Sequence, residues 1–411
     1  MSAINSILWY ITTLFIVFTS IYIIFYIKKR KEKIISIDSK ISKEDIKLLN
    51  ITLASKIGVG SISGIAISII VGGKGTIFWI WISSLVLSTI TYIETKVGIR
   101  FRNNNIGGPQ IYIKEEIGSN KLSFIYSFLI ILIYLFAFIL IQSNTIIKSI
   151  FYTFNINKYL IIFILVILTY ISINKGINSV SKIVSFLVPI MATIYIIIGL
   201  FLLFKYMDII PIIIKEIIID AFSIKSIFTL PIIIGFQRSV FSNESGMGTT
   251  SMVVALSNTN NYIKESKVQI LGLLFINIVI CSISALIILT TDYYIFNVNN
   301  INGIEIINYA FNYHFGSFGS FLSTIIISLF AFSTIITAYY YGDICLNNIL
   351  NKKNSFSKII VIIVISISIL ISSNVIWNMV DILCALVTII NLYALYKLRS
   401  KIWLETSGMN Y

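Results

Sequence analysis

Two stretches of this sequence set glycine, hydroxyl and charged residues inside otherwise apolar surroundings. One reads Lys56-Ile57-Gly58-Val59-Gly60-Ser61-Ile62-Ser63-Gly64; the other has Pro231, then Gly235-Phe236-Gln237-Arg238-Ser239-Val240-Phe241-Ser242-Asn243-Glu244-Ser245-Gly246-Met247-Gly248. Glycine and serine at that density favour unwinding, which lipid tolerates only where the backbone is buried or lines a cavity. A broken helix presents free N–H groups at one half and free carbonyls at the other, the two things a small zwitterion needs for its carboxylate and its ammonium. Arg238 and Glu244 point the same way, because charge within a membrane segment is costly and marks function. Gly60 and Gly64 also have the spacing of a helix-packing face, the alternative use of small residues there.

The elements that must position these stretches are transmembrane helices. The 411 residues are 57% hydrophobic and 12% charged, too few polar residues to cover a soluble fold. Apolar runs of roughly 20 residues recur from end to end, each able to cross about 30 Å of hydrocarbon as a helix, whereas barrel strands are shorter. Spans are expected near 7–27, 48–71, 76–98, 123–149, 159–173, 183–204, 226–256, 268–290, 317–343, 358–373 and 375–396. The first has no basic region before it and ends at Lys28-Lys29-Arg30-Lys31-Glu32-Lys33, so it reads as an uncleaved anchor. With that basic end in the cytoplasm, the N-terminus lies outside and the tail bearing Lys397, Arg399 and Lys401 lies inside. The loop from Asp292 to Gly316, which has no Lys or Arg, is then outside.

The two breaks stand five spans apart, in segments of opposite direction by the charge reading. The expected fold is therefore an all-α membrane protein of about eleven transmembrane helices with a 5+5 inverted-repeat core. Residues 1–34 form an extra N-terminal helix and basic loop, 48–205 the first repeat, 226–398 the second and 399–411 a cytoplasmic tail.

Other classes of function fit poorly. The net charge of +14 sits in short loops beside helices, a topological signal and not a nucleic-acid surface. Cys281, Cys345 and Cys384 fall singly in apolar segments, without the spacing of a disulfide framework or a metal site. A membrane enzyme would need an acid/base or metal constellation at the membrane face, and a single histidine with isolated cysteines does not supply one. His314 reads as a solvated residue of the outside loop. Glu94 and Asp343 read as charges near span ends that pair with a neighbour such as Lys96 or snorkel.

The residues quoted above, with others, resemble the alanine or glycine:cation symporters, a family of the LeuT-type fold. The segment from Arg238 to Gly248 looks like that family's RGLFSNEAGMG signature. Gly107-Gly108-Pro109-Gln110-Ile111-Tyr112, Gln142-Ser143-Asn144, Phe332-Ser333-Thr334, Tyr339-Tyr340-Tyr341-Gly342-Asp343, and Asp381 followed by Asn391-Leu392 are similar to its other motifs. The resemblance covers nearly the whole chain after the first helix. It implies a cell-membrane transporter, not an enzyme, that imports alanine or glycine with a cation. Sodium is the expected coupling ion and no cofactor is expected. The partners are then a small amino acid, a cation and the lipid bilayer, with no nucleic acid and no oligomeric state assigned.

In the same terms, the resemblance and the physics of the breaks give a substrate site of Gly60, Ser61, Gln142, Phe241 and Ala338. The carboxylate meets the amides of Gly60 and Ser61, the ammonium meets carbonyls around Gly235 to Ser239, and the Phe241 ring limits side-chain size. The implied ion site joins Ala54, Ile57, Ser333 and Thr334, all able to give the oxygen donors that suit a hard cation. The alternatives are an interhelical hydrogen bond for Gln142 and hydroxyls bonded to their own backbone.

The sequence departs from the family where it has Gly58-Val59-Gly60-Ser61 for GTGN, Ala338 for the Trp before the triple-Tyr stretch, and Lys56 for a small or hydroxylated residue. Ala338 enlarges or reshapes the pocket. An ammonium at Lys56 would repel sodium, take over its role or exchange protons, which makes a proton-coupled or sodium-independent transporter the second reading. Snorkelling is the structural alternative for Lys56, and a transport-dead sensor that keeps the fold is a third reading of the chain.

Overall fold

The computed structural model describes residues 3–30, 43–103, 106–174, 176–223, 230–257, 260–291, 303–352 and 355–404. Residues 31–33 of the basic run, Lys175, Lys225, residues 292–302 of the acidic loop, Lys353 and the tail after Leu404 lie outside the described residues. Helices account for nearly all the rest. They are α1 (Ala3–Arg30), α2 (Lys43–Lys56), α3 (Val59–Gly72), α4 (Thr76–Arg100), α5 (Pro109–Glu115), α6 (Asn120–Phe154), α7 (Lys158–Ile173), α8 (Ile177–Lys205) and α9 (Ile210–Ala221). There follow α10 (Leu230–Asn243), α11 (Thr249–Val254), α12 (Tyr262–Leu289), α13 (Gly303–Phe315), α14 (Ser317–Leu350), α15 (Phe356–Ile367), α16 (Ser373–Lys397) and α17 (Arg399–Leu404).

Seven of these helices are long and apolar enough to cross a membrane unbroken, and Val59–Gly72, Lys158–Ile173 and Phe356–Leu370 are shorter apolar helices. With Val59–Gly72 counted as half of the interrupted pair α2/α3, and with the second pair α10/α11, they are compatible with eleven spans. Hydrophobic side chains face outward as well as inward, as lipid requires. On α1, Ile4, Ile7, Leu14 and Ile21 are exposed, while Trp9, Ile16 and Ile23 are buried. That inner stripe, at helical spacing, packs on α4, α10 and α16.

The centre is built from α2, α3, α6, α10 and α14, which touch one another across the breaks. Two of the long helices contain π-helical stretches, Ile131–Phe138 in α6 and Phe275–Ile280 in α12. Such stretches re-aim the side chains that follow and recur at functional sites. Here the first one ends at Phe138, one turn before Gln142.

The stretch expected as an outside loop contains a helix, α13, and His314 on it is not solvated. The imidazole is buried; its Nε2 lies 2.8 Å from the Ile287 carbonyl and 3.1 Å from Thr290 Oγ1, and its Nδ1 lies 3.1 Å from the Tyr206 hydroxyl. A neutral ring that donates from Nε2 and accepts at Nδ1 satisfies this set. The ring thereby ties α13 to the ends of α8 and α12, a role that an isolated polar residue in an acidic loop does not announce.

Burial holds the His314 imidazole below its ordinary value of 6.5. The unfolded chain therefore binds the proton more readily, so the stabilisation is present above that ordinary value and is lost as pH falls through the folded one. Thermal unfolding in detergent should show a midpoint that drops as pH is lowered from about 7.5 to about 5. His314→Gln, which keeps a donor and an acceptor, should flatten that dependence; an equal slope in both proteins would contradict the assignment.

Candidate functional site

The first break consists of Ile57 and Gly58, between the end of α2 at Lys56 and the start of α3 at Val59. Gly58 is required by crowding. A Cβ there would stand 2.5 Å from Thr334 Oγ1 and 3.1 Å from Gln142 Nε2. Gln142 Oε1 accepts from the Val59 amide at 3.2 Å, satisfying one of the donors that a helix start exposes. The Ala54 carbonyl, in the last turn of α2, accepts from the hydroxyls of Ser333 and Thr334, each at 3.3 Å. Both hydroxyls also bond the Phe330 carbonyl of their own helix, at 2.9 and 3.0 Å. The inter-helix and the backbone-bonded readings thus hold together. Ile57 is buried beside them.

Gly60 lies against the Phe241 ring, whose Cε1 would be 2.5 Å from an added Cβ. The same ring meets Phe138 at 5.2 Å and Trp377 at 5.2 Å, both edge-on. Gly64 faces Trp377 and Arg238 at ordinary contact distance, so the packing use of Gly60 and Gly64 is realised between α3 and α10. Ser61 donates its hydroxyl to the Gly58 carbonyl at 2.9 Å, and its own carbonyl accepts from Ser284 at 2.6 Å. Ala338 is buried one turn beyond Thr334 on the same face of α14. Sequence-distant Gln142, Phe241, Ser333 and Thr334 therefore meet at one point of the chain, the Gly58–Gly60 corner.

The second break, expected over Gly235–Ser245, lies at the end of that range and runs past it. Helix α10 runs through Gly235–Ser239 to Asn243, so the carbonyls expected to be free near Gly235 lie within a regular helix. Unwinding occurs at Glu244–Gly248, where Glu244, Gly246 and Gly248 have φ of 56°, 91° and 91°. The left-handed conformation explains both glycines, and a non-glycine residue holds it only when its surroundings enforce it. Isolated glycine and proline inside α10 did not suffice to break a helix packed on all sides.

The enforcing contacts come from residues far apart in sequence. Glu94 Oε1 accepts from the amides of Gly246 and Gly248 at 3.1 and 2.9 Å and from Asn391 Nδ2 at 2.8 Å. Asn391 also donates to the Gly246 carbonyl at 2.8 Å, Tyr126 donates to the Met247 carbonyl at 2.6 Å, and Tyr112 donates to Asn391 Oδ1. Within the segment, Asn243 Oδ1 accepts from the Ser245 amide at 2.7 Å. A Cβ on Gly248 would collide with Pro109 and the Tyr126 hydroxyl. Glu94 is thus neither a snorkelling charge nor a partner of Lys96, which instead lies over the Tyr262 ring.

Lys56 does not snorkel either. Its side chain is buried, its ammonium has no hydrogen-bond partner among the described residues, and Glu244 and Glu94 are the carboxylates whose charge acts on it. Asp343, half-buried, accepts from Ser357 and Asn347 at 2.5 and 3.0 Å. Among the described residues no group of three His, Cys, Asp or Glu side chains is placed to hold a metal.

A cavity of about 370 Å³ lies beside the first break, between α3, α6, α10, α13 and α16. Arg238 and Asp381 form an ion pair at 2.9 Å on its wall, both side chains buried. The guanidinium stacks on Trp377 at 5.0 Å, and Trp377 in turn covers Phe241. Of the expected site residues, Gly60, Ser61, Gln142, Phe241 and Ala338 are not on the cavity wall, whereas their neighbours Val59 and Ser63 are. Trp377 lines the cavity and touches Phe241, and Val59 stands on both the cavity wall and the corner.

The sequence matches the profile of the sodium:alanine symporter family over residues 1–410. It is 30% identical over 353 residues to the amino-acid carrier protein AlsT of Bacillus subtilis, covering 83% of this chain and 75% of that one. It is 26% identical over 373 residues to the sodium/alanine symporter AgcS of Methanococcus maripaludis, covering 87% and 82%. In structure it is similar to MhsT, crystallised in complex with L-phenylalanine, with a TM-score of 0.66 at 13% identity over 90% of this chain and 92% of that one. The LeuT-type fold follows.

Removing Glu94 leaves two buried amides and one side-chain donor without an acceptor. Glu94→Ala should destabilise the protein by about 2–4 kcal/mol, and Glu94→Gln, which keeps one acceptor oxygen, by roughly half of that or less. Chemical unfolding of the purified variants measures both; equal stabilities of Glu94→Ala and the parent would show that the unwound segment is held by other means.

Proposed function

This chain belongs to the sodium:alanine symporter family, and from that premise we propose that it imports a small neutral amino acid, alanine or glycine, by symport with sodium. The observation that carries the reading is the corner at Gly58–Gly60, where a helix start, an amide side chain, an aromatic ring and a set of hydroxyl and carbonyl oxygens meet in a buried place. A helix start favours a carboxylate. Gly60, Ser61 and Gln142 would bind that end of the substrate, and Phe241 would close on a small side chain. Ala338 leaves space on the facing helix. The ammonium acceptor is reassigned to the last carbonyls of α10, which a helix end leaves unbonded.

Oxygens of Ala54, Ile57, Ser333 and Thr334 suit sodium, a hard cation. The hydroxyls now bonded to Ala54 would turn their lone pairs to the ion when it is present. Residues 48–205 and 226–398 would be the two inverted repeats that rock about this corner. The basic loops would put the N-terminus outside and the C-terminus in the cytoplasm.

Uptake of radiolabelled alanine and glycine into proteoliposomes tests the reading directly. An inward sodium gradient should drive accumulation. Gln142→Ala and Phe241→Ala should each lower the apparent affinity at least about tenfold, the cost of one well-made buried contact. No uptake in the parent, or parent-like uptake in both variants, would reject the function or the site respectively.

A second reading is favoured by one observation: the buried Lys56 ammonium. A fixed cation beside the ion site would take over the role of sodium, and a desolvated lysine can carry a proton through a transport cycle. On this reading uptake is sodium-independent and responds to a proton gradient, and Lys56→Thr confers sodium dependence. Strict sodium dependence that Lys56→Thr leaves unchanged would exclude it.

A further inference from the structure

Helix α9 belongs neither to the spans nor to the site. Its 12 residues rise about 18 Å, too little to cross roughly 30 Å of hydrocarbon. It begins just after α8 ends at Lys205 and finishes against the turn between α3 and α4. Its two ends therefore belong to one surface of the helix bundle, and α9 runs along that surface.

The sides of α9 differ in what they meet. Ile213, Ile217 and Ala221, spaced by single helical turns, are buried against the protein. On the other side Ile212, Ile214, Ile218, Ile219 and the adjoining Phe222 are each between 43% and 60% exposed, so no other part of the chain covers them. Lys215 is the only charge among them. Glu216 and Asp220 turn instead toward the end of α3: Glu216 pairs with Lys74, and Asp220 Oδ2 accepts from the Gly75 amide at 2.7 Å. These contacts account for two glycines that the site does not use. A Cβ on Gly73 would stand 2.5 Å from Asp220 Oδ2, and one on Gly75 would stand 2.4 Å from the Ala221 nitrogen. Gly73 also has a φ of 82°, in the left-handed region. The turn is shaped to receive the end of α9.

The surroundings of the exposed side say what covers it. It continues the outward side of α8, where Phe201, Leu203 and Phe204 are exposed and which, as part of a span, meets acyl chains. Phe222 lies against Phe78 and Trp79, with ring centroids 5.1 and 6.0 Å away, and the Trp79 indole donates to the Ala221 carbonyl at 3.3 Å. Tryptophan, and lysine whose stem lies on apolar surface while its ammonium reaches water, are the residues of a membrane interface.

We propose that α9 is an interfacial anchor. It lies in the boundary between headgroups and acyl chains of the leaflet at the α3–α4 end, and it moors the Gly73–Gly75 turn to that lipid surface. Helix α3 starts at the Gly58–Gly60 corner and ends at this turn, so a change in the depth of the interface reaches the corner through one helix. The lipid contact stands without the symport reading; its coupling to transport rests on that reading.

The test uses the full chain, whose Cys281, Cys345 and Cys384 are buried. Ile212→Cys and Ile218→Cys, on the two flanks of Lys215, are each labelled with a nitrobenzoxadiazole fluorophore and reconstituted into phosphatidylcholine vesicles, so either reports if the other fails to fold. Lipid with a doxyl group near the headgroup should quench both labels at least about twofold more than lipid with the group near the chain end, and aqueous iodide should quench them weakly. Ile164→Cys, exposed midway along α7, should show the reverse order. Labels on α9 open to iodide and insensitive to doxyl lipid would overturn the anchor. So would labels quenched most by the deep group, or by neither agent, the result expected if a second copy covered the face. For the mooring, alanine uptake in vesicles of increasing chain length should vary about fivefold in the parent, since mismatch costs fractions of a kcal/mol per Å. Asp220→Ala, which frees the turn and leaves the lipid face intact, should at least halve that spread without changing the doxyl order. An equal spread in both proteins would overturn the mooring. A parent that transports no alanine would refute the symport reading instead, and the labels, which need no transport, would still decide the anchor.

Discussion

A peptide group in hydrocarbon has no water to bond, so every amide that leaves the helical ladder must find a partner within the protein. That constraint organises this molecule around the stretch Glu244–Gly248. The segment bends through three left-handed residues, and its amides and carbonyls are taken up by Glu94 from α4, Asn391 from α16 and Tyr126 from α6. The Pro109 ring packs on Gly248 at this turn, while Gly107 and Gly108 lie close against Ala255 and Met252 of the segment that follows it. Motifs from four separate regions of the chain are therefore explained by one requirement. They hold open a bend that the sequence of α10 and α11 would not keep by itself.

Fold and site were legible to different depths for a physical reason. Length and polarity report how a helix meets lipid, so the spans and the first break, at Gly58, could be read from composition and local pattern. The second break was expected somewhere over Gly235–Ser245 and lies at the end of that range and just beyond it, because glycine density measures the ease of unwinding and not the presence of a partner that enforces it. The enforcing partner is Glu94, and nothing local distinguishes that residue from a charge at a span end. His314 was misread in the same way. Its partners, Ile287, Thr290 and Tyr206, belong to other helices. The family resemblance named Gln142, Phe241, Ser333 and Thr334 together, and the structure brings them to the Gly58–Gly60 corner, a convergence that no periodicity would reveal.

The two breaks are not independent. Phe241, in the last turn of α10, packs on Gly60 at the start of α3, and the bend that follows Asn243 fixes where that last turn ends. The Phe138 ring, delivered by the π-helical stretch of α6, closes the other side of Phe241, and Tyr134 links Phe138 to Tyr341 of α14. Rings in edge contact transmit a displacement, because interiors packed at crystal density cannot absorb it locally. A shift of α10 at its bend would move Phe241 relative to Gly60 and, through Trp377, one wall of the cavity.

The extra helix α1 has a part in this arrangement that its place outside the repeats does not suggest. A buried ion pair holds only if both members are fixed and their remaining lone pairs and protons have somewhere to go. Asp381 receives the Asn5 amide at 3.4 Å on its carboxylate and the Trp9 indole N–H at 2.9 Å on its backbone carbonyl. Both contacts come from the buried stripe of α1, whose opposite side faces outward with isoleucine, leucine and phenylalanine. Without that helix the Asp381 face of α16 would meet lipid, where a carboxylate is far less stable. Helix α1 thus acts as a wall that keeps the Arg238–Asp381 pair inside protein.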